Sequence, residues 1–167
     1  MRTITERELL AGRLTIRVDI IETLGVAGRA MFVHKSIGEW MKDDKRETDP
    51  QFHGNGTAAI RYEPKGVIGN LSPFNFPYDL TVGPLCDMLG AGNRVIIKPS
   101  EFTPACGKQL KEMINATFPK DLVDVVLGGS ALGIEFSKVK WNHLLYTVRR
   151  IPLAEPETLF RDFAFPL

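Results

Sequence analysis

The sequence contains few cysteines, no long apolar run and no excess of charge of either sign. Its 167 residues include two cysteines, 21 basic side chains and 20 acidic ones, so the net charge is +1. Two isolated cysteines exclude a disulfide framework and a CxxC zinc site. The balanced charge argues against a sequence-independent nucleic-acid-binding protein, because such binding needs a basic excess to replace phosphate counterions.

Signals for export and for membrane insertion are missing as well. The first eight residues read MRTITERE, without the apolar core of a secretory signal, and every stretch of membrane-spanning length contains charge. The three histidines show no metal-ligand spacing and no serine or cysteine partner motif. We therefore expect a cytoplasmic protein without a membrane partner, a nucleic-acid partner or a metal ion.

What is present is the composition of one globular domain, with 44% apolar and 9% aromatic residues. Segments rich in Val, Ile and Leu predict short buried strands. They cover residues 67–71, 94–98, 122–127 and 143–147, and segments of helical length begin near Tyr78, Pro104 and Ser130 between them. Strands and helices that alternate with short connections predict an α/β fold, in which right-handed crossovers produce a parallel sheet covered on both faces.

Individual residues predict where these elements begin and end. Thr103 is expected to cap the second of these helices, with Pro104 at its first position. Pro84 has to lie in or near the first turn of the preceding helix, or it bends that helix. Towards the N-terminus, apolar residues at helical spacing within 5–42 predict one or two amphipathic helices, and the charge run at 43–50 is typical of a solvated loop.

Two extended motifs carry most of the functional information. Residues 66–77 read GVIGNLSPFNFP and residues 89–104 read LGAGNRVIIKPSEFTP. They resemble two signature segments of the aldehyde dehydrogenase superfamily, approximately G-V-x-x-x-I-x-P-W-N-F-P and A-x-G-N-x-V-x-x-K-P-S-E-x-T-P, in the same order and at the same separation. Two long motifs in order are specific evidence where one short motif is not. Phe74 stands where the family usually has Trp, and Leu71 where it often has Ile.

The wider pattern, which includes Trp40-Met41 and residues 121–129, is most similar to the coniferyl aldehyde dehydrogenase branch. The resemblance extends over residues 5–147. It implies a partial parallel, Rossmann-like NAD-binding domain with an N-terminal helical arm. It also implies an activity that oxidises a small aldehyde, with coniferyl aldehyde as a candidate, to the acid with NAD or NADP.

This resemblance suggests a division of the chain. We predict an N-terminal helical arm and loop at 1–56 and the partial NAD-binding α/β domain at 57–147. Residues 148–167 form a tail that does not match the family.

Asn75 follows the first predicted strand, at the carboxyl edge where ligands of open α/β sheets collect. Its side-chain N–H can donate to the oxygen that becomes negative when a thiolate adds to an aldehyde, and the resemblance assigns it this oxyanion role. The alternative is a turn asparagine between Pro73 and Pro77, which is common in such a setting.

Lys98 ends the second predicted strand, and Glu101 follows it closely. By resemblance, the ammonium donates to the vicinal hydroxyls of the adenosine ribose and the carboxylate accepts from the same diol. A carboxylate that faces the 2′ position repels a 2′-phosphate, which favours NAD over NADP. Without the motif, the two residues read as a surface lysine and a first-turn glutamate favoured by the helix dipole.

The turn that begins at Gly128 follows the third predicted strand and opens a helix, so its backbone N–H groups can face a cofactor. A GGxxxG pattern alone is equally typical of a tight turn, and the sequence contains no GxGxxG fingerprint. The resemblance places Gly128 near the adenine, and it places Leu71, Ser72, Phe74 and Ser100 at the same cofactor.

Cys86 and Cys106 matter because the nucleophile of this family is a cysteine. Each falls on the apolar face of a predicted helix, where a thiol is ordinarily a small buried hydrophobe, and neither segment is similar to the nucleophile motif. The resemblance stops after Thr147, where the family continues with a Gly-Ser-Thr turn towards the pyrophosphate. The sequence therefore predicts a truncated chain that lacks the nucleophilic Cys and the general-base Glu and is inactive alone.

Two other functions stay open at this stage. One is a non-catalytic module that binds part of a cofactor or pairs with a full-length homologue, and the other is a gene remnant without a role. The resemblance implies a homo-oligomer. Outer strands together with exposed apolar surface predict self-association of this chain.

Overall fold

The computed structural model describes residues 18–147, which form a parallel sheet, flanking helices and a small antiparallel ribbon. The helical elements are a π-helical segment, Val18–Gly25, that continues into α1 (Val26–Trp40), then α2 (Pro50–His53), α3 (Asp79–Gly90), α4 (Pro104–Thr117) and α5 (Ser130–Lys138). The strands are β1 (Asp44–Arg46), β2 (Ala58–Ile60), β3 (Val67–Leu71), β4 (Arg94–Lys98), β5 (Val123–Val125) and β6 (His143–Tyr146). Predictions for 5–17 and for the tail at 148–167 fall outside the described residues.

β3 lies in the interior of the main sheet, whose strand order is β5-β4-β3-β6 with every neighbouring pair parallel. It is buried from Ile68 to Leu71, whereas the outer strand β6 is partly exposed. From β3 the chain adds β4 and then β5 on one side of the sheet, and it adds β6 on the other side of β3. This is the order of one half of a doubly wound Rossmann sheet, and the strand order reverses between β3 and β6. The α/β fold class predicted from the sequence is confirmed.

The core lies between this sheet and the helices α3 and α4. Val95 and Ile97 alternate along β4 and therefore point to one face of the sheet. They belong to one buried cluster with Leu85 and Met88 of α3 and with Ile114 of α4. Each such side chain contributes about 1.5–3 kcal/mol when it is fully buried, so the cluster fixes both helices against the strands.

α1 packs along α3 at close range. Arg29 forms an ion pair with Asp87, and a Cβ atom built on Gly90 would lie 2.7 Å from Val33 Cγ1. Gly83 lies two turns before Gly90 on the same face of α3 and faces the side chain of Arg29. Small residues at both positions let the two helix backbones approach each other.

Pro84 is the sixth residue of α3, near its first turn, and it offers no N–H to the carbonyl of Leu80. Two other local expectations need correction. Thr103 occupies the cap position of α4, but its buried hydroxyl makes no capping hydrogen bond. The charge run at 43–50 includes the exposed strand β1, because its backbone pairs with β2. That pairing crosses the boundary expected at residue 56, and the domain division stays a prediction.

Within residues 18–147, no helix is both long enough and apolar enough to cross a membrane.

Candidate functional site

The carboxyl ends of β3, β4 and β5 lie along one edge of the sheet, because these strands run parallel. Leu71 ends β3 opposite Lys98, which ends β4, and Tyr146 ends β6 on the other side of Leu71. The backbone N–H of Ser72 donates to the carbonyl of Lys98 at 3.2 Å, and that of Thr147 donates to Leu71 at 3.1 Å. Open α/β sheets bind ligands at this edge, where the strand order reverses.

The segment that follows β3 carries the first group of predicted site residues. Leu71 and Ser72 are buried, whereas Phe74 is exposed and Asn75 is partly exposed. The Ser72 hydroxyl accepts a hydrogen bond of 2.7 Å from Thr81 Oγ1, so its side chain faces α3. Phe74 and Asn75 therefore keep accessible surface beyond the end of the strand, and Ser72 does not.

Lys98 is a buried cation at this edge, with 3% of its side chain exposed. Its Nζ donates to Glu101 Oε2 at 3.0 Å and to the carbonyl of Pro99 at 3.2 Å. A buried ammonium is costly unless charged or polar partners surround it. The turn that directly follows β4 supplies both partners, so the sequence that ends the strand also fixes the cation.

Glu101 is more accessible than Lys98, with 31% of its side chain exposed. Burial acts to raise the pKa of this carboxyl group, but its own backbone N–H and the Lys98 ammonium together outweigh burial and lower the pKa. Glu101 is therefore ionised at neutral pH. The hydroxyl of Ser100 accepts from the backbone N–H of Phe102 at 3.3 Å and so shapes the turn that carries Glu101.

Gly128 lies between β5 and α5, where a side chain would not fit. A Cβ atom there would lie 2.9 Å from Leu132 Cβ, so a larger residue would have to displace Leu132. Gly133, in the first turn of α5, packs against Lys98, since a Cβ atom on it would lie 3.5 Å from Lys98 Cε. The turn after β5 and the end of β4 therefore come together next to the ammonium group.

Two exposed phenylalanines connect the two motif segments. The rings of Phe74 and Phe102 are in edge-to-face contact, with centroids 5.9 Å apart, a favourable arrangement for aromatic pairs. Phe74 is 54% exposed and Phe102 is 75% exposed. Phe102 was not among the predicted site residues, although it lies within the second motif, directly after Glu101.

Comparison with known proteins identifies the family. A model of the aldehyde dehydrogenase family matches residues 11–143, which is most of the chain. The chain belongs to the aldehyde dehydrogenase family. A probable coniferyl aldehyde dehydrogenase of Pseudomonas aeruginosa is 45% identical over 116 residues, which are 70% of this chain and 24% of that protein. A probable coniferyl aldehyde dehydrogenase of Caulobacter vibrioides is 39% identical over 130 residues, 77% of this chain and 27% of that protein.

Solved structures agree with this assignment. A substrate-bound state of Staphylococcus aureus AldH matches with a TM-score of 0.81 at 26% identity, covering 86% of this chain and 31% of that one. An aldehyde dehydrogenase of Mycobacterium tuberculosis complexed with NAD+ has the same fold, with a TM-score of 0.64 at 22% identity over 77% of this chain and 26% of that one. The present chain spans about a quarter of the length of the curated relatives it matches.

The two cysteines of this aldehyde dehydrogenase chain lie inside helices, as expected. Cys106 on α4 is fully buried and Cys86 on α3 is partly buried. Burial raises the pKa of the Cys86 thiol, and the neighbouring Asp87 carboxylate raises it further, so the group is protonated at neutral pH. A protonated thiol is a poor nucleophile, which supports a structural role for Cys86.

Two buried polar residues of this family member, Glu22 and Asn70, were not predicted from the sequence. Glu22 is 6% exposed and accepts hydrogen bonds from the backbone N–H groups of Tyr78 and Asp79. Asn70 is fully buried in β3, where its Nδ2 donates to the carbonyl of Thr81 at 3.2 Å and its Oδ1 has no partner among residues 18–147. A polar residue inside an apolar strand was a visible signal for Asn70. Glu22 had no comparable signal, because its partners are 56 and 57 positions away.

Proposed function

We propose that this chain forms the adenosine-binding half of an NAD site and carries the oxyanion donor of an enzyme that oxidises an aldehyde to the acid. The observation that carries the proposal is the Lys98–Glu101 pair, which is fixed at the carboxyl edge of the sheet beside the Gly128 turn. Because the two relatives described above are named coniferyl aldehyde dehydrogenases, we take coniferyl aldehyde as the substrate of the whole enzyme.

The residues at this edge fit an adenosine ribose. The Lys98 ammonium can donate three hydrogen bonds, and two of them go to Glu101 and Pro99. One donor is therefore left for a ribose hydroxyl, while the ionised Glu101 can accept from the neighbouring hydroxyl. The absence of a side chain at Gly133 leaves space next to Lys98 Cε, and the backbone at Gly128 can approach the adenine closely.

The charge of Glu101 favours NAD as the cofactor. Its carboxylate is ionised and partly exposed, so a 2′-phosphate at the same ribose would meet a negative charge at short range. When bound, the nicotinamide supplies the hydride acceptor of the reaction.

Asn75 is the proposed oxyanion donor. It lies at the point where the strand order reverses, on the same edge as the Lys98–Glu101 pair, and it keeps accessible surface. A side-chain amide there can donate to the aldehyde oxygen as that oxygen gains negative charge. Ser72 and Leu71 have a different role in the proposal, because their buried backbone shapes the floor of the site.

Calorimetric titration of the purified chain with NAD tests the cofactor proposal. We expect measurable binding in the millimolar range, and weaker binding of NADP. Lys98→Met should weaken NAD binding about ten- to a hundredfold, because a hydrogen bond from a charged donor contributes about 1.5–3 kcal/mol. Lys108→Met, on the exposed surface of α4, is the matched control and should bind like the wild type.

Two results of this titration would contradict the proposal. One is the absence of any heat at millimolar NAD, and the other is equal affinity in the wild type and in Lys98→Met. Circular dichroism of Lys98→Met must match the wild type, so that lost binding is not confused with lost structure.

We also propose that the chain by itself does not oxidise aldehydes, since Cys106 is fully buried in the first turn of α4 and the partly buried thiol of Cys86 has a raised pKa. Incubation with coniferyl aldehyde and NAD should produce no NADH. A cytoplasmic location stays a prediction as well, supported by the low cysteine count.

A second candidate function is a module that pairs with a longer homologue. It is favoured by the apolar side chains that α1 exposes, such as Met31 and Phe32. Such exposed groups on one helix are typical of interaction surfaces.

A further inference from the structure

Glu22 is a buried carboxylate that does not belong to the motifs of the family. It lies in the π-helical segment before α1, and 6% of the residue is exposed. Its Oε2 accepts two hydrogen bonds, from the backbone N–H of Tyr78 at 2.8 Å and from that of Asp79 at 2.9 Å. Glu22 therefore binds the N-terminus of α3 from a distant part of the chain.

The position of these contacts explains why a charged residue is buried there. The first N–H groups of a helix have no partners inside the helix, and the cap residue Tyr78 makes no capping hydrogen bond with its side chain. A carboxylate can accept from such N–H groups and interacts favourably with the positive end of the helix dipole. Glu22 therefore caps α3 through a tertiary contact, in place of a capping residue next to the helix in the sequence.

The capped turn is directly connected to Asn75. Only Phe76 and Pro77 separate Asn75 from Tyr78, and the carbonyl of Phe76 accepts the N–H of Leu80 in the first turn of α3. The other end of this segment is fixed by the hydrogen bond from the Ser72 N–H to the carbonyl of Lys98. The segment that carries Asn75 is therefore held between β3 and the turn that Glu22 caps.

We propose that Glu22 is a positioning residue for the side-chain amide of Asn75. It holds the first turn of α3, to which the segment with Asn75 is joined, and so sets the direction in which the amide can donate; it does not touch substrate or cofactor. This inference rests on the oxyanion role given to Asn75 in the proposed function. It assigns the segment before α1 a part in the site, beyond its packing against α3.

Other contacts hold the body of α3, which makes the effect of Glu22 local. Arg29 pairs with Asp87 near the end of α3. Leu85 and Met88 also remain in the core. Loss of the Glu22 carboxylate should therefore disturb the first turn of α3 and the segment before it, not the whole helix.

Nuclear magnetic resonance of the full chain tests the proposal through the side-chain amide peak of Asn75. We expect Glu22→Ala to displace that peak and to speed hydrogen exchange of the Tyr78 and Asp79 amides about fivefold, in line with the loss of a helix cap. Glu22→Gln keeps a neutral acceptor and should give a smaller displacement in the same direction. The backbone amides of Val95 and Val123 in the sheet should stay in place in both variants.

The matched control is Glu39→Gln. Glu39 is an exposed residue of α1 that pairs with Lys42, so the substitution also removes one carboxylate and should leave the Asn75 peak unchanged. An unmoved Asn75 peak in Glu22→Ala would overturn the proposal, even if the Tyr78 and Asp79 amides exchange faster. If Glu22→Ala does not fold, Glu22→Gln decides in the same way. The peak reports on geometry without cofactor, so this outcome is independent of the NAD titration that tests the proposed function.

Discussion

The ammonium of Lys98 is almost completely buried, whereas its partner Glu101 keeps part of its surface in water. Removing the carboxylate would leave a buried cation with the carbonyl of Pro99 as its remaining described acceptor. The cost of burying an incompletely paired charge is large compared with the value of an exposed ion pair. The pair therefore stabilises the edge of the sheet in addition to its proposed contact with ribose.

The stability contribution of Glu101 should depend on pH. Its pKa is lower in the folded chain than in the unfolded one, so the contribution is present above the ordinary glutamate pKa of about 4.3 and is lost as the pH falls through the lowered value. We expect Glu101→Gln to reduce the free energy of unfolding by on the order of 1–2 kcal/mol at pH 7. The reduction should be smaller at pH 3, and urea titrations at both pH values measure it.

Glu135→Gln provides the control for this experiment. Glu135 pairs with Lys138 at the same sequence spacing, but both side chains are well exposed, and such pairs contribute little to stability. The substitution should have little effect at either pH. An equal loss of stability at pH 7 and pH 3 in Glu101→Gln would show that its carboxylate charge does not stabilise the fold.

The residues of the site differ in how far the sequence could predict them. Lys98 and Glu101 lie close together in one motif, and a strand end places both at the carboxyl edge, so their proximity follows from local sequence. Glu22 and Asn70 depend on tertiary structure. Glu22 binds the N–H of Tyr78, which is 56 positions away in the chain, and the Asn70 amide donates to the carbonyl of Thr81 on the helix that packs on β3.

At the scale of elements, the packing of α1 on α3 depends on a glycine. Gly90 ends α3, and a Cβ atom on it would lie 2.7 Å from Val33 Cγ1. Val33 is buried and β-branched, so its side chain has little freedom to move within a helix. We expect Gly90→Ala to lower the free energy of unfolding by about 1–3 kcal/mol through overpacking, as measured by thermal or urea denaturation.

Gly38→Ala is the matched control on the other helix of this pair. A Cβ atom on Gly38 would meet nothing within 4 Å, so alanine should raise stability by about 0.5–1 kcal/mol through its better helix propensity. If Gly90→Ala stabilised the chain as Gly38→Ala is expected to, the close approach of α1 and α3 would be wrong.

The ends of the elements show where local sequence is sufficient. β3 and β4 begin and end where predicted. A glycine at positive φ lies shortly before each of them, Gly66 before β3 and Gly92 before β4. This conformation is not that of a strand, so each strand begins after its glycine. β5 is shorter than the predicted 122–127, since only Val123–Val125 pair with β4. The length of an outer strand is set by its neighbour, and this information is not contained in its own residues.

At the scale of the whole molecule, several large apolar side chains within residues 18–147 are exposed. On α1, Met31, Phe32 and Trp40 are exposed, and the rings of Phe32 and Trp40 are in edge-to-face contact. Within the described sheet, β5 and β6 each pair with one neighbour and so leave an outer edge. Exposed apolar patches and outer strands both favour association between copies.

We expect the chain to self-associate, and we expect the apolar surface of α1 to contribute most, because Phe32 is a large aromatic residue that is 61% exposed. Sedimentation velocity should show a weight-average sedimentation coefficient that rises with protein concentration. Phe32→Glu should reduce that rise, since it places a charge in the contact. His34→Glu adds the same charge about 200° around the helix and should leave the association unchanged. A single monomeric species at all concentrations would contradict the prediction, and equal effects of both variants would assign the association to net charge rather than to this surface.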